Sequence, residues 1–320
     1  MVAAGRLADL LGARLVPIGL VAFGIAAALP ALAHSVGTLA ALLVMVGVTT
    51  GALDVAINAQ AARVEADHRV RVMDGLHAAF SIGVLVGGVG AGLLRGAGAE
   101  PSWILAGTGA AIAFTAATNL HGGAPVARAR RRTRLRSQLL VVGAVLGLAF
   151  LVENGLEAWS ALYLERTFDS SPAVSGLGPG LFAGSMAAGR LLAQRLAPPS
   201  VVLRMTFVGI AAAAGIAIAA SAQHAAVALA GFVVAGAGIA LSAPTLLGLA
   251  GRVGGEGGRG AAVSTVAIFG YLGFVAAPPL IGGVAAATSL RGSFVFLGAV
   301  ALLLAACAPF LRRAANESPG

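Results

Sequence analysis

The sequence predicts an all-α polytopic membrane protein, on three observations. Only 10% of its 320 residues are charged while 58% are hydrophobic, and the mean hydropathy is +0.94. Soluble domains carry about 25% charged residues. The apolar residues come in runs of about 20, the length that crosses a hydrocarbon core of about 30 Å as a helix. They lack the alternation over about 10 residues that marks a transmembrane β-strand. A cytosolic enzyme, a disordered chain and a disulfide scaffold are thereby excluded. The single cysteine, Cys307, lies in an apolar run and can form no internal disulfide.

Windows of about 19 residues predict ten spans: 15–33, 38–62, 73–94, 101–120, 138–163, 173–197, 200–220, 225–250, 261–284 and 290–310. Ahead of the first, Gly5, Arg6, Asp9 and Arg14 make a charged loop rather than the short apolar core of a cleavable signal peptide. All 21 cationic side chains are Arg, and against 12 acids they give a net charge of +9. In a soluble protein that balance would suggest nucleic acid. Here 18 of the 21 arginines fall on alternate loops, including six between Arg128 and Arg136, and only Arg95, Arg166 and Arg291 fall on the other side. Such a bias orients a membrane protein and puts both termini in the cytoplasm, so no nucleic-acid partner is expected.

The basic loop HGGAPVARARRRTRLRS (121–137) divides the chain. It reads as a solvated orienting linker, with anionic-lipid contact as the rival, between an N-terminal bundle of four spans (1–120) and a C-terminal bundle of six (138–320). Gly5-Arg6-Leu7 recurs as Gly189-Arg190-Leu191, 184 residues later, and the spans starting at 73 and 101 recur at 261 and 289. Two full spans precede the second copy and four residues precede the first. The pattern is that of a six-plus-six protein without its first two helices.

The residues GRLADLLGARLV (5–16) resemble the loop signature of the major facilitator superfamily, G-x-x-x-D-x-x-G-x-R. Gly5, Asp9, Gly12 and Arg14 match, with Leu10 where an Arg usually follows the Asp. GRLLAQRLAPPSVV (189–202) is a degenerate second copy without the Asp. Three stretches are similar to the fucose-permease-like branch: GALDVAINAQAARVE (51–65), MDGLHAAFSIGVLVGG (73–88) and VENGLEAWSALYLE (152–165). FGYLGFVAAPPLIGG (269–283) resembles the family's Gly/Pro-rich eleventh helix, whereas GVLVGGVGAG (83–92) lacks the proline of the drug/proton antiporter signature. The resemblance implies a secondary transporter, working by alternating access on a small polar or sugar-like solute and coupled to protons. It is expected to be monomeric, to lie in the bacterial inner membrane and to need no cofactor or metal.

Ionisable residues within spans are functional candidates, because a charge at the bilayer centre costs about 2.5–3.5 kcal/mol even on the insertion scale. Asp54 lies about eight residues into the second span, roughly 12 Å deep, with Asn58 one turn on. The resemblance implies proton coupling for an acid at this position; the alternative is an interhelical clamp. Glu153 and Glu157 share a face of the fifth span, beside Asn154. Two acids so placed cannot both ionise cheaply, which suits a proton carrier, and Glu153 is expected to face the solute cavity rather than lipid. Asp74 and His77 start the third span at i, i+3 and read either as a capped helix end or as a proton relay. Trp159 and Tyr163 read as interfacial belt residues.

Asp9 and Arg14, with Gly5 and Gly12 of the same loop and Arg63 or Glu65 as partners, read as an inward-facing gate latch. Gly189 and Arg190 belong to its second copy, Arg190 as an orienting charge at a helix end. Pro278 and Pro279 are expected to break their helix for gating. A drug or metabolite exporter is the runner-up, and a non-transporting receptor the reading from another class. No G-x-x-x-x-G-K-[ST], H-E-x-x-H or G-x-S-x-G is present, so neither ATP-driven transport nor intramembrane catalysis is expected of this chain.

Overall fold

Hydrocarbon offers no water to unpaired backbone groups, so a spanning segment that does not close into a barrel must be helical. The computed structural model follows that constraint over the residues it describes, 15–68, 72–119, 137–193, 200–255 and 258–316. Among these residues every regular element is a helix. In chain order they are α1 (Leu15–Ala28), α2 (Val36–His68), α3 (Met73–Gly96), α4 (Pro101–Thr115), α5 (Ser137–Phe168), α6 (Leu177–Ala193), α7 (Val201–Ser221), α8 (Ala225–Ile239), α9 (Ser242–Gly254), α10 (Arg259–Ala287) and α11 (Leu290–Cys307). A single turn, Pro172–Ser175, precedes α6.

Seven helical stretches among the described residues are long and apolar enough to cross a membrane: Val36–Asn58, Ala79–Gly96, Ser137–Phe168, Val201–Ser221, Ala225–Gly254, Ala261–Ala287 and Leu290–Asn316. Ten spans are expected from the sequence. The stretches 15–33, 101–120 and 173–197 are helical but shorter: Val16–Leu32 is a short apolar helix, α4 has 15 residues, and α6 has 17 up to the limit of the described residues.

The chain divides into two compact units, Met1–Ala79 with Leu94–Ala129, and Phe80–Leu93 with Arg130–Gly320. The middle of α3 therefore groups with the second unit. Its cause is a close approach of small residues: a Cβ on Gly92 would lie 2.6 Å from the Pro172 carbonyl, and one on Gly88 would lie 3.2 Å from that of Gly176.

In the first unit α1 packs against both α2 and α4. Gly24 and Gly109 face each other there, and a Cβ on either would strike the other's backbone carbonyl. Small residues let helix backbones meet in this way where lipid supplies no hydrophobic drive for association.

In the second unit α5 is the trunk, contacted by α6, α8, α9, α10 and α11. Leu139, Val142, Leu146, Ala149, Val152 and Leu156 are buried along it. Toward its C-terminal end Tyr163 is fully buried, stacked on Phe294 with ring centroids 4.1 Å apart. Its hydroxyl donates to the Ala219 carbonyl at 2.9 Å. The belt position expected for Tyr163 is thus corrected: the phenol has found a partner inside the bundle. Serine caps start α7 and α11, Ser200 Oγ accepting from the Leu203 N–H and Ser289 Oγ from that of Gly292. The expected span 225–250 is interrupted, α8 ending at Ile239 and α9 beginning at Ser242.

A close glycine crossing in this bundle joins α7 and α8, where a Cβ on Gly215 would lie 2.6 Å from the Gly231 carbonyl, and the reverse holds at the same distance. Gly215→Val should cost about 1–3 kcal/mol, the ordinary range for overpacking, seen as a lower melting temperature of the detergent-purified protein. Gly283→Val, with nothing within 4 Å of its Cβ, should leave that temperature unchanged.

Candidate functional site

Glu153 stands sixteen residues after the start of α5, about 24 Å along its axis at about 1.5 Å per residue. It is buried, with 9% of its surface exposed. Its Oε1 lies 3.9 Å from Nη2 of Arg190 on α6, an ion pair at a distance beyond hydrogen bonding. Arg190 is fixed by other contacts: Nε donates to the Ala240 carbonyl at 3.1 Å and Nη2 reaches the Met186 Sδ at 3.4 Å. Glu153 Oε2 and Glu157 Oε1 are buried without a hydrogen-bond partner. Removing one member of such a pair leaves an uncompensated charge, which costs far more than the pair itself contributes.

Gly189 explains how Arg190 reaches this position. A Cβ there would lie 3.0 Å from the Ala240 Cβ and 3.2 Å from the Ala237 carbonyl. The missing side chain lets α6 approach α8, which delivers the next residue, Arg190, to the end of α8. The reading of Gly189 and Arg190 as gating-loop residues is corrected accordingly. Both are helical, one packing against α8 and the other turned to Glu153.

The carbonyl that Arg190 holds is one a proline has freed. In an unbroken helix the Ala240 carbonyl would accept from the N–H four residues on, but residue 244 is proline and has none. Asn154 does the same on the other side of α5. Pro278 cannot bond to the Phe274 carbonyl, and Asn154 Nδ2 donates to that oxygen at 2.6 Å. With the orphan carbonyl satisfied from outside, α10 runs without interruption from Arg259 to Ala287 through Pro278 and Pro279. The helix break expected at these two prolines is not formed. Consecutive residues of α5 thus face two different proline-weakened helices, Asn154 directly and Glu153 through Arg190.

The first unit holds the other expected pair. Asn58 Nδ2 donates to both the backbone carbonyl and the Oδ1 of Asp54, at 2.9 and 2.8 Å. The two form one local unit on α2, part-buried, within the apolar stretch Val36–Asn58. Gly5, Asp9, Gly12 and Arg14 lie outside the described residues, as do the side chains of Arg63, Glu65, Asp74 and His77. Trp159 rests on α10, its ring 3.2 Å from where a Cβ on Gly282 would stand.

Sequence reasoning missed the partnership of Arg190 with Glu153. The available signal was its place well inside the expected span 173–197, where an arginine needs an acid or a carbonyl. Asn154→Leu should destabilise the protein by about 1–3 kcal/mol, the cost of an orphaned buried carbonyl. In a Pro278→Ala background, where an N–H is restored for Phe274, the same change should cost measurably less. A double-mutant cycle of unfolding free energies reads the difference; equal costs in both backgrounds would show that Asn154 does not serve the proline.

Comparison with known proteins agrees with this architecture. The family model of the Major Facilitator Superfamily matches residues 1–278. An uncharacterized MFS-type transporter of Yersinia pestis is 32% identical over 278 residues, covering 85% of this chain and 71% of the relative. The membrane protein MosC of Rhizobium meliloti is 28% identical, over 87% of this chain and 69% of its own length. Among solved structures, a bacterial homolog of the human lysosomal transporter Spinster, inward-facing and occupied, superposes with a TM-score of 0.72 at 16% identity, covering 99% of this chain and 86% of that one. The Escherichia coli fucose:proton symporter FucP gives 0.61 at 16% identity, over 97% and 86% of the two chains. At such identities the structural matches speak for the fold alone. The sequence matches go further: the chain belongs to the Major Facilitator Superfamily and is a multi-pass membrane transporter, not an enzyme.

Proposed function

We propose that the chain moves a small polar or sugar-like solute across the bacterial inner membrane by alternating access, driven by protons. Bundles of four and six spans, with both termini in the cytoplasm, carry the movement in a monomer. The observation that supports this most is the Glu153–Arg190 pair, an acid enclosed within the second unit, loosely paired and with one oxygen unpartnered. Protonated, such an acid is tolerated in a closed, dry arrangement; ionised, it favours one open to water. A proton can therefore bias a two-state bundle without any cofactor. Asp54, bound to Asn58 on α2, is the corresponding acid of the first unit, with Glu157 and His77 as further members of the pathway. The MFS neighbours that include a fucose:proton symporter make proton-driven uptake of a sugar-like solute the natural form of this activity.

The experiment is uptake in proteoliposomes, using a panel of radiolabelled sugars and sugar derivatives. Asp54→Asn should abolish accumulation driven by an imposed pH gradient while leaving solute exchange intact, since Asn keeps the size and loses the titration. Uphill uptake that survives in this variant and in Glu153→Gln alike would remove proton coupling through these acids. For orientation, a periplasm-active phosphatase fused after Gly320 should be inactive in cells, and a cytoplasm-active reporter at the same point should be active.

A further inference from the structure

We propose that Arg190 is the anchor for a carboxylate on the transported solute, and that Glu153 pairs loosely with its guanidinium when the solute is absent. The proposal rests on the proton-coupled reading above and narrows its solute to one that carries an acid group.

The geometry of the guanidinium carries the inference. Two contacts hold it in place, Nε on the Ala240 carbonyl and Nη2 on the Met186 sulfur. Its remaining nitrogen, Nη1, makes no hydrogen bond among the described residues, and 19% of the side chain is accessible. The guanidinium thus keeps a donor to spare at the outer end of its fork. Glu153 does not fill it. An optimised Arg–carboxylate pair is bidentate with N–O distances of about 2.7–2.9 Å, whereas here one oxygen stands at 3.9 Å and the other is buried without a partner. A structural ion pair would close that gap. A pair that must open to admit another carboxylate is better left loose.

The charges around the site set the conditions. Glu157 lies one turn from Glu153 on α5, and the Arg190 charge acts on both acids. From α10, Tyr271 stands edge-on to Phe150, one turn before Glu153. No ionisable residue occurs on α8. The charged residues of α9 and α11 sit elsewhere, Arg252 in the last turn of α9 and Arg291 over Phe168 with its Nη1 on the Ala220 carbonyl. Two ionised acids against one guanidinium repel an incoming anion. Once the acids take up protons, the site is cationic and attracts one. Solute binding should therefore tighten as pH falls, by up to about tenfold per pH unit where one proton is taken up with the solute. A single guanidinium balances one negative charge, so a carboxylate is favoured over a phosphate, which carries about −1.5 to −2 at neutral pH.

The test uses the purified full-length chain in detergent. Its thermal unfolding is measured with gluconate, glucuronate and lactate, each beside its uncharged counterpart (glucose, methyl glucoside and lactamide), and with inorganic phosphate. At least one carboxylate should raise the melting temperature where its counterpart does not, and more so at acid than at alkaline pH. Glu153→Gln should bind that carboxylate at alkaline pH more tightly than the parent protein does at the same pH, because one of the two acids has gone. Arg190→Gln alone leaves a buried acid unpaired and is expected to be unstable. The double variant Glu153→Gln/Arg190→Gln removes both charges of the pair and leaves Glu157 as the acid of the site; it should fold and lose the carboxylate response. Stabilisation by no carboxylate, by phosphate in place of carboxylate, equally by the uncharged counterparts, or undiminished in the double variant would overturn the proposal. Proteoliposomes separate it from the broader reading. Neutral sugar accumulated under a pH gradient without any carboxylate response keeps proton coupling and removes the anchor. A carboxylate that binds through Arg190 but is not accumulated under that gradient keeps the anchor and removes the coupling.

Discussion

A helix inside hydrocarbon has no water to accept a carbonyl that its own backbone has released. Among the prolines of the second unit that release a carbonyl, two are answered by polar side chains: Pro244 frees Ala240 and Pro278 frees Phe274. The polar site beside Glu153 and Asn154 follows from how those two oxygens are satisfied. Asn154 takes one and Arg190 the other. Once an arginine has been brought inside to cap a carbonyl, its charge needs an acid, and Glu153 stands beside it. The polar site is in that sense a consequence of the prolines, and the prolines are tolerable because of the polar site.

The same reasoning gives α5 its place as trunk. Asn154 and Glu153 are adjacent in sequence, so on a helix they point about 100° apart, one toward α10 and the other toward α6 and the α8–α9 junction. Replacing either with an apolar residue of similar size would keep the packing and orphan a group on a different neighbour. Close approach on both sides is secured by glycine. Gly189 lets α6 reach α8, and Gly147 and Gly273 let α5 and α10 meet backbone to backbone. Polar donors with short reach demand such closeness, since an asparagine amide extends only a few ångströms from its helix axis.

Much of the fold was legible because span length and the arginine bias are properties of contiguous sequence. The helices fall close to the ranges read from apolar runs, and Glu153 does sit far along its helix. What was not legible depends on pairs far apart in the chain. The Asn154 bond joins residues 120 apart and the Arg190 bond residues 50 apart, and one sequence holds no record of such partners. Tyr163 was assigned to the interface because tyrosines often lie there; its burial depends on Phe294 and the Ala219 carbonyl from two other helices. Pro278 was read as a break because a proline alone does break a helix. The donor that mends it lies on α5. Pro244 is a further local signal, since a proline inside the expected span 225–250 marks where α8 and α9 part.

The looseness of the charge pair is then the informative quantity. Were Glu153 present merely to neutralise Arg190, evolution of a static bundle would favour direct hydrogen bonds, because a buried ion pair repays its desolvation only with good geometry. Were Arg190 present merely to cap Ala240, an asparagine or glutamine would donate without carrying a charge that must be compensated. Arg190 is instead fixed at one edge, with its acid held just out of hydrogen-bond range. A cation retained at that cost, within a transporter, is placed to meet something that arrives and leaves.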